Sequence, residues 1–313
     1  ADIEVNLDVV KIEGGLNDYT LTAADGRSIK ARAVVNCAGL GAEKVANLVG
    51  DRSFKIGARR GEYILIDREN ADFVSHTLFF TPTNKGKDIL ITRTVDGNVL
   101  LGPTAEVIER GDTSTTSEGL GEVVKKAKTM CDNVPLHNTI TSFAGVRAFS
   151  DRHDFIIEES AIKKGFINCA GIESPGLTAS PAIAKYVVNE LIGRLFELKS
   201  NYTFDPIRKP DHFFKNLSDK EKNEIIKKDP AYGHIVCRCE GVTEGEIVRA
   251  LTANPRATDV DGVKRRTRAG MGRCQGGFCQ PYVAELIAKH LSIPLDKVTK
   301  CGAGSDLLTG RTK

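Results

Sequence analysis

Four cysteines in two short motifs constrain this 313-residue chain more than anything else in it. Cys237 and Cys239 stand one residue apart in "HIVCRCEG", and four residues separate Cys274 from Cys279 in "GRCQGGFCQP". Soft thiolates select transition metals, and four of them with no histidine at ligand spacing suit either tetrahedral zinc or an iron-sulfur cluster. Structural zinc usually takes cysteines with about two to four residues between them, a knuckle for which Cys-x-Cys is too tight. On an extended loop Cys237 and Cys239 can serve one iron of a binuclear cluster, with Cys274 and Cys279 serving the other. The second pair lies on a Gly-rich loop running into a helix near Pro281, where backbone N–H groups favour a negatively charged cluster. Zinc, or four free thiols, is the alternative. A chain of this length needs no disulfide staples, and Cys131, Cys169 and Cys301 are expected to pack as small apolar side chains.

Texture along the chain suggests two parts. The first two hundred residues hold short β-like runs such as "EYILID", "HTLFFTP", "DFIIEES" and "GFINCAG". Asp25-Gly26 and Asp96-Gly97 mark hairpin turns. A helix is expected over "TSEGLGEVVKKAKTMC", and another, buried, from about Ser180-Pro181, because Ile183, Val187, Leu191 and Leu195 recur every four residues beside Ala184, Val188 and Ile192. Residues 200–229 turn aromatic and then strongly charged, and read as a linker with a surface helix. Beyond residue 230 the pattern is helical: Thr243 and Glu246 form a capping box, and Pro281 sits in the first turn of an apolar helix. Two short helices are expected to bracket a basic loop carrying Lys264, Arg265, Arg266, Arg268 and Arg273. No repeat at a fixed period is seen.

Composition excludes rather than selects. With 44 Lys and Arg against 41 Asp and Glu, the formal charge of +3 makes no case for nucleic acid. No apolar run approaches the ~20 residues that cross a bilayer, and the start lacks signal-peptide features, so the cytoplasm is the default expectation. The opening "ADIEV" reads like the middle of an element, which suggests a fragment or processed subunit.

"CRCEGVTEGEI" followed by "GVKRRTRAGMGRCQGGFC" resembles the bacterioferritin-associated-ferredoxin-like (BFD-like) [2Fe-2S] domain. The resemblance makes Cys237, Cys239, Cys274 and Cys279 the cluster ligands and gives the basic segment a role in charge compensation or in docking an acidic partner. A second resemblance rests on "ARAVVNCAGLGAEKVANLVG", "RRGEYILID", "DGNVLLGPTAE", "SFAGVRAFSDRHDFIIEES" and "INCAGIESPGLTASPAIAKYV", in that order. Together these are similar to the FAD-dependent D-amino-acid-oxidase-like (DAO-like) superfamily, and within it to glycerol-3-phosphate dehydrogenases that carry an extra cysteine domain. No G-x-G-x-x-G follows an N-terminal strand, so this chain is expected to lack the N-terminal part of that superfamily's FAD domain, whether removed or supplied by a partner chain.

The resemblances imply a mixed α+β architecture: residues 1–199 as the C-terminal part of an FAD and substrate domain with a β-rich sheet, 200–229 as linker, and 230–313 as a small α-helical [2Fe-2S] domain. They place Cys37, Ala38 and Gly39 near FAD, bring Gly171, Gly176, Leu177 and Thr178 to the isoalloxazine, and set Arg147 and Tyr63 at the substrate. The implied reaction, in the complete enzyme, is oxidation of glycerol 3-phosphate to dihydroxyacetone phosphate, with electrons leaving through the cluster to an acceptor protein or quinone. Oligomerisation is compatible with this. Gly176 stands where better-known glycerol-3-phosphate dehydrogenases have Lys, and Ala148 replaces a Pro after Arg147, so a 2-hydroxy acid or amino acid is the alternative substrate. A non-catalytic electron-transfer or interaction subunit is the alternative of another class.

Overall fold

A computed structural model of the chain describes residues 2–81, 88–109, 111–207 and 213–310. It divides into two units, Asn6–Thr203 and Phe204–Lys313, the second joined by Ala1–Val5.

The first unit opens with an antiparallel meander of β1 (Val9–Glu13), β2 (Tyr19–Ala23) and β3 (Ser28–Ala31). Its second hairpin turns at Asp25-Gly26, where Gly26 takes φ +89°. Next come β4 (Val34–Asn36), α1 (Ala42–Leu48) and the long β5 (Ile56–Ile66). Then β6 (Leu78–Phe79), β7 (Leu90–Arg93), β8 (Val99–Gly102) and β9 (Glu106–Ile108) lead to α2 (Ser117–Met130) and β10 (Thr139–Ser150). The strand expected over "HTLFFTP" is thus only two residues long, and Pro82 lies outside the described residues. β5 is the spine of a six-stranded antiparallel sheet ordered β10-β5-β8-β7-β6, with β9 also pairing β5.

The two-residue period of a strand divides the β5 side chains between two jobs. Ile56, Ala58, Arg60, Glu62, Ile64 and Ile66 are buried, whereas Arg59, Tyr63 and Leu65 are half-buried on the opposite face. Ile64 and Ile66 join Ile89, Ile91, Val99, Leu101, Val123 and Ala127 in the core beneath α2. Buried Glu62 fixes that helix: its carboxylate accepts from the N–H and hydroxyl of Thr116, the α2 N-cap, both at 2.9 Å. A Cβ on Gly119, in the helix's first turn, would fall 2.3 Å from the same carboxylate.

β11 (Ile156–Glu159) and β12 (Phe166–Ala170) complete a second sheet in which β12 pairs antiparallel with β11 and parallel with β4. The helix after β12 begins at Gly176, four residues before the expected Ser180-Pro181. α3 (Gly176–Tyr186) passes into a π-helical stretch (Val187–Ile192) and then α4 (Gly193–Leu195). Pro181 inside α3 cannot donate to the Leu177 carbonyl, and the Ser180 hydroxyl does so instead at 2.8 Å. The helix is also less buried than its apolar pattern suggests. One stripe, Ile183, Val187 and Leu191, packs on Ile167 and Cys169 of β12, while Tyr186 and Val188 stay exposed because only that side of the helix faces the sheet.

In the second unit, α5 (Asp219–Lys228) starts at a capping box of Ser218 and Glu221. Upstream of it Phe214 is buried, its N–H donating to Glu246 at 3.0 Å. A short hairpin, β13 (Ile235–Cys237) and β14 (Val242–Thr243), precedes three helices: α6 (Glu244–Thr252), α7 (Val260–Thr267) and α8 (Gln280–Leu291). The Thr243–Glu246 capping box starts α6, and Pro281 sits in the first turn of α8. The basic segment is not a loop, as expected, but largely the last turn of α7. Asp259 caps the start of α7, and Lys264, Arg265 and Arg266 lie at its carboxyl end, where the helix dipole favours cations. The three helices share one core through Ile247, Leu251, Val263, Val283, Leu286 and Ile287.

Candidate functional site

The parallel pairing of β4 with β12 sets Asn36 opposite Asn168. The two buried side chains bond to each other at 2.9 Å. Asn36 also donates to the Ala42 carbonyl at 2.9 Å, and Asn168 donates to the Asp51 carboxylate at 3.2 Å. Both strands therefore end at one level, and both run into a glycine turn: Gly39 takes φ +55° and Gly171 φ +62°. The chain reads Asn-Cys-Ala-Gly at 36–39 and again at 168–171. That duplicated tetrapeptide was the signal for Asn36 and Asn168, which the search for a fixed period missed. Turns at the carboxyl ends of adjacent parallel strands are where open α/β sheets bind nucleotide cofactors.

The glycines in these turns have different reasons to be glycine. A Cβ on Gly171 would lie 2.5 Å from the Ser150 Cβ and one on Gly176 would lie 2.6 Å from Ile172 Cγ2, so both mark close approach. A Cβ on Gly39 would meet nothing within 4 Å, so there the backbone angle is the constraint, and open space adjoins the turn. Leu177 and Thr178 are exposed in the first turn of α3, at the positive end of its dipole. Cys37 and Ala38 are exposed at the first turn, so the residues present fit a dinucleotide lying against this edge.

On the half-buried face of the large sheet, β5 and β10 bring matching pairs together. Tyr63 stands opposite Phe143 with ring centroids 5.2 Å apart, Gly61 opposite Gly145, and Arg59 opposite Arg147. Tyr63, Arg59 and Arg147 line one cavity of about 550 Å³ together with Glu173 and Ser174 from the loop after β12. The two arginines differ. Arg59 pairs with Glu173 at 2.8 Å and lies over the Phe149 ring at 4.6 Å. Among the described residues no carboxylate pairs with half-buried Arg147. Burial holds the Tyr63 hydroxyl above its ordinary pKa, against the Arg147 charge, so it is a neutral donor near neutral pH. Sequence reasoning passed over Arg59 and Glu173, whose pairing depends on strand register.

In the second unit Cys237, Cys239, Cys274 and Cys279 line a single cavity of about 500 Å³. Cys237 and Cys279 are buried, and Cys239 and Cys274 half-buried. The thiols meet across the motifs rather than within them: Cys239 Sγ lies 3.7 Å from Cys274 Sγ, and Cys237 and Cys279 are near enough to shift each other's ionisation. Each contact holds one thiol down and the other up. Cys237 falls to about 6 through the nearby Cys279 thiol, with the N–H groups of Gly270 and Glu240 helping against burial, while Cys279 is pushed up. Burial opposes ionisation of Cys274, but N–H groups of Phe278, Gly276 and Gly277 and the Cys239 thiol outweigh it and lower its pKa. Burial, then the contact with Cys274, raises Cys239.

Among the described residues no group of three or more His, Cys, Asp or Glu side chains is set to hold a single metal ion. The thiols meet as Cys239 with Cys274 and Cys237 with Cys279, with loop amides aimed at sulfur, and this donor set fits a binuclear cluster. Gly272 allows the close approach, since a Cβ there would fall 2.2 Å from the Cys239 Cβ.

The expected basic compensation is mostly engaged elsewhere. Lys264 pairs with Asp261, Arg268 with Glu240, and Arg266 donates to the Gly262 and Pro255 carbonyls. Arg238, between the first two cysteines, is the arginine that lines the cavity. Cys131 and Cys169 pack with apolar side chains, but Cys301 is exposed, its sulfur 3.8 Å from Arg265 Nη2.

Comparison with known proteins finds a family match in each half of the chain. The FAD dependent oxidoreductase (DAO) family matches residues 1–190, and the BFD-like [2Fe-2S] binding domain matches residues 235–289. A glycerol 3-phosphate dehydrogenase of Caloramator mitchellensis is 50% identical over 283 residues, covering 90% of this chain and 58% of that protein. Among solved structures, the dithionite-reduced L-alpha-glycerophosphate oxidase of Mycoplasma pneumoniae with FAD bound matches at TM-score 0.55 and 29% identity, over 60% of this chain and 50% of that one. The glycerol-3-phosphate dehydrogenase of Bacillus halodurans complexed with FAD has the same fold, at TM-score 0.65 and 15% identity over 92% of this chain and 65% of that one. The chain spans about half the length of the curated relatives it matches.

Proposed function

The chain belongs to the FAD dependent oxidoreductase family and carries a BFD-like [2Fe-2S] binding domain, and from that premise we propose that it is part of a dehydrogenase that oxidises glycerol 3-phosphate to dihydroxyacetone phosphate. The half-buried Arg147, facing a cavity with no internal carboxylate partner among the described residues, carries this reading. A guanidinium left unpaired in a cavity whose carboxylates, Glu173 and Asp88, are already held by Arg59 and Lys126 calls for an anion, and its planar fork suits the two oxygens of a phosphate or carboxylate. Arg59, held by Glu173, adds positive charge on the neighbouring strand without competing for the same fork. The neutral Tyr63 hydroxyl, in the same cavity, would donate to a substrate oxygen and orient the carbinol.

FAD, when bound, accepts a hydride from the substrate carbon, and a [2Fe-2S] cluster passes electrons on singly. For their part, the turns at Cys37, Ala38 and Gly39 and at Gly171 would receive the flavin. The first turn of α3, with Gly176, Leu177 and Thr178, would set N–H groups against negative charge on its ring. Cys237, Cys239, Cys274 and Cys279 would hold the cluster, delivering electrons to an acceptor protein or quinone.

The test is anaerobic mixing of the complete, FAD-loaded protein with glycerol 3-phosphate and, separately, with a panel of 2-hydroxy acids and amino acids. Glycerol 3-phosphate should bleach the flavin fastest. Arg147→Met should lower kcat/KM by about 100-fold, as expected for losing about 3 kcal/mol of charge-assisted contact. Bleaching by a hydroxy acid or an amino acid alone would move the substrate assignment to that class. No bleaching by any of them would leave the chain as an electron-transfer subunit.

A further inference from the structure

The two Asn-Cys-Ala-Gly segments bring together two thiols that neither site above employs as ligands. Asn36 and Asn168 are register partners, so Cys37 and Cys169, one residue further on, stand side by side, near enough for each thiol to shift the other's ionisation. Neighbouring strands run about 4.8 Å apart, within the span of about 4.4–6.8 Å between Cα atoms that a disulfide bridges. The Asn36–Asn168 bond at 2.9 Å holds that spacing. The partners are unlike: Cys37 is exposed, whereas Cys169 is 6% exposed and packs against Ile167 and Val187. An exposed thiol backed by a buried one is the arrangement in which the first meets an oxidant and the second resolves it.

We propose that Cys37 and Cys169 are an oxidisable thiol pair that closes to an intramolecular disulfide when Cys37 meets a hydroperoxide. The Cys37 thiolate attacks the peroxide, forming an S–O bond as O–O breaks and releasing hydroxide, which takes up a proton. Cys169 then attacks the Cys37 sulfur, forming S–S as S–O breaks, and its proton leaves with the hydroxyl as water. Two thiols lose two electrons, and hydrogen peroxide becomes two waters. The inference rests on the strand register and the nearness of the two thiols, and applies to the chain with no flavin at these turns.

Hydrogen peroxide treatment of the full chain, then alkylation and tryptic mapping, reads the result directly. Peptide 33–44, with Cys37, and peptide 165–185, with Cys169, are expected to appear as one cross-linked species two hydrogens lighter than their sum. In Cys169→Ala, a cyclic 1,3-dione should trap a sulfenic acid at Cys37. Cys37 joined to a different cysteine, no cross-link while Cys301 oxidises, or no dione adduct in Cys169→Ala would each overturn the proposal. The wild-type map stands even if the variant fails to fold.

Discussion

The two units make their sites from opposite materials. Residues 234–280 gather four reactive side chains from two short motifs, so the chemistry is carried by rare residue types in near-contiguous sequence. The unit Asn6–Thr203 builds its candidate site from turns and strand faces more than a hundred residues apart: Asn36 with Asn168, and Arg59 with Glu173. In the first case substitution of one atom removes a proposed cluster ligand. In the second, the site depends on sheet register, and side chains far from any cofactor hold it.

That contrast predicts unequal sensitivities. The largest effect should come from Cys237→Ser or Cys239→Ser, which are expected to reduce bound iron and sulfide to background while leaving the thermal unfolding of Asn6–Thr203 unchanged. Next is Glu62→Ala. It leaves the Thr116 N–H and hydroxyl without their acceptor, while Arg60 keeps Glu106 and Asp112, and should destabilise the flavin-type unit by about 2–4 kcal/mol in urea unfolding, with the iron content unaffected. If either change spreads to the other unit, the comparison fails.

Asn168→Ala probes the register lock itself. It removes one hydrogen bond from each of the buried Asn36 and Asp51, which keep Ala42 and Ser53, and should cost about 1–3 kcal/mol. Loss of cofactor affinity at both turns together, rather than at one, would sharpen the account. The smallest effect is that of pH on Asp51. Burial would raise its pKa, but hydrogen bonds from Ser53 and Asn168 outweigh it and leave the folded value depressed. The sign follows: its stabilisation is present above the unfolded pKa of about 3.9 and is lost as pH falls through the lower folded value. Asp51→Asn should flatten the acid limb of the stability profile by about 1 kcal/mol.

How much could be read in advance divides along the same line. Cys237, Cys239, Cys274 and Cys279 are visible because ligand type and spacing are local properties, as are the Thr243 capping box and the Asp25-Gly26 and Asp96-Gly97 hairpins. Arg59 and Glu173 were not visible, because which β5 side chain faces β10 and the loop after β12 is set by pairing between distant strands. The apolar stripe of α3 was legible but its burial was not, since a pattern of hydrophobic residues cannot tell how much of a helix its sheet will cover. The basic segment misled for a related reason: charge counts do not reveal that Lys264 and Arg268 already have Asp261 and Glu240.

Low-temperature EPR of the anaerobically prepared chain, before and after dithionite, tests the central claim most directly. The account predicts a silent oxidised sample and a paramagnetic signal on reduction, absent from Cys239→Ser. A chain that stays silent after dithionite while holding one zinc per molecule would contradict it.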